Sequence, residues 1–207
     1  FKFRLSRPMT NIDEGQRSIL SNLEKMFRKN AEQQLTGFFN LQGVTVEDYK
    51  IPSILVMGHL FGAIIVQGAD FRLTIKIHSD IAPMRPLCAR NTQVAQDQIG
   101  EKMVRDFLRE LANLLGGAMR TDLSRVNVDS GLSLPLSSRG FDEVFFNGTQ
   151  TRDTFMQSCR VNWGSGSVVM TQFIEIIGGW DSLQPMKEYN PAAPVVDDFE
   201  ALLAQGG

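Results

Sequence analysis

The sequence predicts an α+β protein: a long antiparallel sheet packed with two long helices, followed by a C-terminal tail with a short helix. Three observations lead there. Two long stretches repeat their apolar residues at helical spacing, Ile19 to Leu35 and Val104 to Leu115. Short runs of strand character lie between and after them, the clearest being Phe71, Leu73, Ile75 and Ile77 alternating with Arg72, Thr74, Lys76 and His78. Helices and strands come in blocks, helix, strands, helix, strands, rather than in the strict alternation of a parallel sheet.

The chain has 207 residues, 43% hydrophobic and 21% charged, enough for one sizeable core. A net charge of −2 favours neither a nucleic-acid backbone nor an anionic membrane. No apolar run approaches the ~20 residues of a spanning helix. Phe1 to Met9 has no apolar stretch behind its basic residues, so a secretion signal is not expected. Because the sequence begins at Phe1 rather than Met, a piece upstream is expected. Cys88 and Cys159 are isolated, which suits two reduced, buried thiols and a cytoplasmic protein.

Taken in order, residues 1–10 read as an extended lead-in. Asn11 and Glu14 have capping-box spacing, and a first helix follows over 12–36, with Gly37 as its stop. Strands are expected at 44–46, 54–61 and 62–67. A turn at 68–70 leads to a half-buried strand over 71–78. Two prolines make 79–86 a loop. The second long helix is expected over 92–122, with Gly116-Gly117 inside it at a cost of roughly 1 kcal/mol per glycine relative to alanine. A strand at 132–136 with Pro135 near its end, and strands at 143–147, 156–162 and 167–177, complete the sheet. The organisation expected is a domain over 1–179, a proline-punctuated linker over 180–194 and a short amphipathic peptide over 195–207.

The second helix carries the chemistry. Asp106, Glu110, Asn113 and Gly117 follow the spacing i, i+4, i+7, i+11 and form one stripe. Phe107, Leu108, Leu111, Leu114 and Leu115 fall opposite. Lys102, Arg105, Arg109 and Arg120 flank the stripe. The plainest reading of such a stripe is a solvated face. Conventional sites are missing: there is no GxSxG, P-loop or dinucleotide fingerprint. His59 and His78 have no second ligand at metal spacing, so no metal is expected.

The pattern Asp106-x3-Glu110-x2-Asn113, with Gly117, then Gly131-Leu-Ser-Leu-Pro135 and Gly140, resembles the CheC/CheX/FliY phosphatases of bacterial chemotaxis. These carry an acidic residue or serine and a Glu-x-x-Asn pair on a long helix, with a proline about twenty-two residues on. The sequence departs from them in three ways. The first helix has no second Glu-x-x-Asn, which matches the single-site CheX arrangement. Residues 71–78 alternate where many members begin a helix. The Asn113-to-Pro135 spacing is one short of the commonest form.

The resemblance implies an enzyme that hydrolyses the aspartyl-phosphate of a CheY-like response regulator. Glu110 and Asn113 would be its catalytic pair, and Asp106 and Gly117 would face the partner. Asn113 would hold the attacking water, and Glu110 would pair with the regulator's active-site lysine. The protein would need no cofactor of its own, because the Mg²⁺ belongs to the regulator. Neither nucleic acid nor membrane is implied, and a homodimer through the sheets is compatible with it. The alternative within the same superfamily is a non-catalytic FliM-like adaptor that binds a regulator or switch component. A third reading, a structural dimerisation domain, would be favoured if the stripe proved buried. Asp197-Asp-Phe-Glu-Ala-Leu-Leu-Ala204 is similar to the short peptide with which FliM and FliY capture phosphorylated CheY. It makes Asp198, Phe199, Leu202 and Leu203 candidate partner-binding residues.

Overall fold

The computed structural model describes residues 12–50, 58–140, 154–164 and 166–192. Helix α1 spans Glu14–Gln33 and continues into a π turn at Gln34–Phe38. Its capping box is built two residues later than Asn11 and Glu14 predict. Asp13 is the N-cap: the Gln16 N–H donates to its carboxylate at 2.8 Å, and the Asp13 N–H donates to the Gln16 side chain at 3.1 Å. This satisfies two of the N–H groups that a helix start leaves unpaired. Gly37 falls inside the π turn, and the reversal comes at Asn40 in the left-handed region, φ 48°.

Strand β1 (Thr45–Asp48) is followed by β2 (Leu60–Gln67) and β3 (Phe71–Ser79), joined by the turn at 68–70. The sequence places a strand break at Gly62, but β2 runs through it. The glycine serves close packing: a Cβ there would lie 2.4 Å from the Leu108 carbonyl oxygen of the overlying helix. The loop expected over 79–86 is instead the start of helix α2 (Ile81–Thr92). Pro83 lies in the first turn, where backbone N–H groups have no intrahelical acceptor, so only Pro86 removes a helical bond. Left-handed Gln93, φ 56°, ends α2. Helix α3 therefore spans Glu101–Arg125 and not 92–122, with extended Gly100 as its N-cap.

The strand expected at 132–136 is two short ones, β4 (Gly131–Leu132) and β5 (Leu136–Arg139), separated at Pro135. Both pair with β2. Proline has no N–H for the ladder, so the edge is interrupted there. Strands β6 (Thr154–Trp163) and β7 (Gly166–Ile176) form a hairpin that pairs with β3 through β7 and with β1 through β6. The resulting antiparallel sheet has seven strands among the described residues, in the order β1-β6-β7-β3-β2, with β4 and β5 sharing the far edge of β2.

Helix α3 packs over β2 and β3, α1 over β1 and β6, and the two helices touch. Phe71, Leu73, Ile75 and Ile77 of β3 join Leu111, Leu115, Leu23 and Phe27 in one core. The opposite face of β3 is less solvated than its alternation predicts, since Lys76 and His78 are buried. Lys76 lies over the Phe173 ring, and Phe61 stands beside the His78 ring. Both cysteines are free and buried, which pushes the Cys88 thiol up to about 11 and the Cys159 thiol up to about 12.

The segment after β7, predicted as linker, belongs to the core through Tyr189. Asp181–Glu188 is a 3-10 helix whose Leu183 and Met186 are buried, and the Asn22 side chain of α1 donates to the Met186 carbonyl at 2.9 Å. The strand expected at 143–147 and the peptide over 195–207, with Asp198, Phe199, Leu202 and Leu203, lie outside the described residues.

Candidate functional site

The outer face of α3 is set by what holds its inner face. Val104, Phe107, Leu108, Leu111, Ala112, Leu115 and Met119 are buried, recurring at intervals of three and four residues. Phe107 stacks on Phe39 with ring centroids 4.6 Å apart. Gly116 lies against β2, where a Cβ would come within 2.8 Å of Ile64 Cγ2. With that side fixed, Asp106, Glu110 and Asn113 are exposed on the opposite side, and Gly117 lies partly exposed in line with them. A buried stripe would have favoured a purely structural reading, and the stripe is exposed.

The stripe residues differ in what they touch. The Asp106 carboxylate pairs with Arg109 at 3.0 Å across one turn, with both groups about half exposed. Such a surface pair contributes a few tenths of a kcal/mol and leaves both ends available. The side chains of Glu110 and Asn113 make no hydrogen bond or ion pair among the described residues. As an i, i+3 pair their Cβ atoms stand about 5–6 Å apart. A carboxylate and a neutral amide are thus presented side by side, mid-helix, on a rigid support. At Gly117 a Cβ would meet nothing within 4 Å, so packing within the chain does not require the glycine.

The arrangement offers a carboxylate acceptor and a donor–acceptor amide. His78, the histidine nearest the core, is held neutral: burial and the Lys76 charge lower its pKa to about 3. His59 is exposed at the start of β2 and pairs with Asp80 at 2.8 Å. That contact, with the His59 N–H donating to the same carboxylate, explains why Asp80 does not cap α2 with its side chain. No three His, Cys, Asp or Glu residues among those described are grouped to hold a metal ion. No helix among them is long and apolar enough to cross a membrane.

Around the stripe, two features hold α3 in place. Arg139 of β5 grips Glu101 at the helix start with contacts of 3.0 and 3.3 Å, which lowers the Glu101 pKa. At Gly140 a Cβ would strike the Gly58 carbonyl oxygen at 1.9 Å, so the glycine allows two backbones to pass. One surface residue beside the site is not singled out by the sequence. Leu134 is 89% exposed. Its signal is the Ser-Leu-Pro run itself, where proline breaks the alternation that would otherwise place Leu134 within a regular edge strand.

No family model matches the sequence, and no curated protein matches it closely. Solved structures do match its fold. A CheC-like superfamily protein from Shewanella sp. PV-4 aligns with TM-score 0.58 and 14% identity, over 74% of this chain and 97% of that one. CheX in a CheX–CheY complex with beryllium fluoride and Mg²⁺ from Borrelia burgdorferi aligns with TM-score 0.59 and 16% identity, over 73% of this chain and 96% of that one. FliM in a FliM–SpeE complex from H. pylori aligns with TM-score 0.54 and 16% identity, over 86% of this chain and 96% of that one. The chain has the α+β fold of CheC-like, CheX and FliM proteins.

Proposed function

We propose that this protein accelerates hydrolysis of the aspartyl-phosphate of a CheY-like response regulator, with Glu110 and Asn113 as its working pair. The observation that carries the reading is the exposed Glu110–Asn113 couple at the centre of a rigid helix, without a hydrogen bond or ion pair among the described residues. The fold of a protein solved in complex with CheY adds support. Phosphoryl transfer to water passes through a loose transition state, so catalysis rests mainly on positioning and charge stabilisation. Asn113 would orient the water in line with the phosphorus, a gain that can reach several kcal/mol. Glu110 would pair with a regulator lysine and fix the depth to which the amide enters. Asp106 and Gly117 would border the contact. The Mg²⁺ would come with the regulator. In this reading the protein works in the cytoplasm, in chemotaxis or related two-component signalling.

The tail fits the same purpose. Asp197, Asp198 and Glu200 would favour a helix start, while Phe199, Leu202 and Leu203 would make one apolar face. Tethered a few residues beyond Tyr189, such a peptide would raise the local regulator concentration to order millimolar. Deleting residues 190–207 would then raise the half-saturating regulator concentration and leave the maximal rate unchanged.

A second reading is a FliM-like adaptor without catalysis. It is favoured by the larger share of this chain, 86%, that the FliM structure covers. Phosphate release from purified, phosphorylated CheY-like regulators separates the two. Acceleration that disappears in Asn113→Ala while binding persists supports the phosphatase. Binding without acceleration by the unaltered protein supports the adaptor.

A further inference from the structure

We infer that Leu134 is an apolar anchor for the receiver domain that meets the Glu110–Asn113 pair, a residue that sets affinity and leaves the chemical step alone. The inference rests on the regulator-binding reading above and adds a residue to it.

A leucine side chain that is 89% exposed is common on a mobile loop, but Leu134 is held firmly. The Ser133 N–H donates to the Ile65 carbonyl at 2.9 Å, and the Ile65 N–H donates to Ser133 Oγ at 3.0 Å. The Ser133 hydroxyl then donates to the Leu134 carbonyl at 3.1 Å. The hydroxyl stands in for a missing ladder acceptor and turns the next residue outward. Strands β4 and β5 pin both sides of this bulge to β2. An apolar side chain presented on an ordered backbone loses little entropy on binding, so its burial by a partner adds to affinity.

Its place on the molecule connects it to the site. Phe107 against Phe39, and Asp122 against Asn30, mark the flank of α3 that faces the α1 side. Arg109, Asn113 and Gly116 follow i, i+4, i+7 along the opposite flank, and Gly116 rests on Ile64 of β2. Helix α3 also packs on β4 and β5. The bulge at Leu134 pairs with Ile65, one residue from the Gly116 contact, and so borders the Asn113 side of the helix. A domain seated on Asn113 would meet Leu134 at its margin.

The competing occupant is a second copy of this chain pairing edge to edge. Pro135 opposes that arrangement, because it removes an N–H from the middle of the edge, and the bulge disrupts the flat ladder that augmentation needs.

The test compares the full chain with Leu134→Ser, Leu134→Met and Asn113→Ala. Isothermal titration measures binding to beryllofluoride-activated CheY-like receiver domains, phosphate release gives kcat and KM, and sedimentation gives the oligomeric state. Leu134→Ser should raise Kd and KM at least tenfold with kcat within twofold. Leu134→Met should stay within threefold of the unaltered protein. Unchanged Kd and KM in Leu134→Ser, with Asn113→Ala inactive, overturns the anchor and leaves the phosphatase reading standing. A dimer that Leu134→Ser converts to monomer without weakening the regulator assigns the residue to self-association and overturns the inference. If the unaltered protein binds no receiver domain, the parent reading fails and the anchor fails with it.

Discussion

Helix α3 carries two polar groupings about 13.5 Å apart along its axis, and they are treated in opposite ways. Asp122 is 3% exposed and its carboxylate is fully committed. It receives the Asn30 amide at 2.9 Å, Lys29 at 3.1 Å, Arg125 at 2.9 Å and the Tyr189 hydroxyl at 3.3 Å. These contacts join α1, α3 and the C-terminal 3-10 segment. Burial, then the neighbouring Asp122 charge, pushes the Tyr189 phenol well above its ordinary range. Twelve and nine residues earlier, Glu110 and Asn113 are exposed and make no hydrogen bond or ion pair among the described residues. A buried carboxylate must be satisfied internally or it destabilises the fold. An exposed one costs the fold nothing and remains available to a partner. The stability of α3 and the activity proposed for it therefore rest on different residues, and substitutions should separate them.

The largest expected effect is on the buried side. Asp122→Ala strips an acceptor from Lys29, Asn30 and Tyr189. Breaking a buried pair costs on the order of 3–5 kcal/mol, and the partial exposure of Lys29 and Arg125 brings this to about 3 kcal/mol. Urea unfolding measures it, and a loss below about 1 kcal/mol would mean the cluster is not what binds the C-terminal segment to the core. Next comes Asn113→Ala. Its unfolding free energy should stay within about 0.5 kcal/mol of the unaltered protein, while regulator dephosphorylation falls about a hundredfold. A variant that loses both together would contradict the separation.

The third prediction concerns acid. His78 is neutral in the fold, with its pKa lowered to about 3 by burial and by Lys76. Between that value and the ordinary 6.5 the unfolded chain binds a proton that the native chain refuses. The contribution is thus fully present above pH 6.5 and is lost as pH falls toward 3. By pH 4.5 the loss should be on the order of 2 kcal/mol. Denaturation curves between pH 7 and 4.5 should show it, and His78→Gln should flatten the slope. An unchanged slope in that variant would assign the acid sensitivity to other groups.

The legible parts of this molecule are those in which one local rule acts alone. The 3.6-residue period identified the stripe, its exposure and the buried leucines beneath it, because a helix face needs no tertiary information. The alternation at 71–77 gave β3 for the same reason. Errors came where tertiary contacts overrode local signals. Gly62 looks like a strand end, yet it is a strand interior pressed by the Leu108 carbonyl. Pro83 looks like a loop, yet it sits in a first helical turn where its missing N–H has no consequence. Residues 180–189 look like a linker, yet Asn22 and Asp122 anchor them. The Asp122 cluster was invisible because its members are up to 160 residues apart, as Lys29 and Tyr189 show. The exposure of Leu134 depends on a bulge that no periodicity describes.

The smallest expected effect sharpens the comparison at a single dipeptide. Gly116 and Gly117 are adjacent, but one faces the core and the other faces outward. A methyl group at 116 would press on Ile64, 2.8 Å from Cγ2 and 3.0 Å from Cδ1, whereas at 117 it would meet nothing within 4 Å. Alanine is favoured over glycine inside a helix by about 1 kcal/mol, chiefly through the unfolded chain. Gly117→Ala should therefore stabilise the protein by about 0.5–1 kcal/mol, while at Gly116 the same gain is offset by strain against Ile64. Thermal and urea unfolding of both variants measure the difference. If a partner's backbone needs the space above Gly117, the stabilised variant should also bind the regulator several-fold more weakly. Greater stability with weaker binding would place Gly117 among the residues that serve the partner. Greater stability with unchanged binding would remove it from them, and leave Glu110, Asn113 and Leu134 to define the contact.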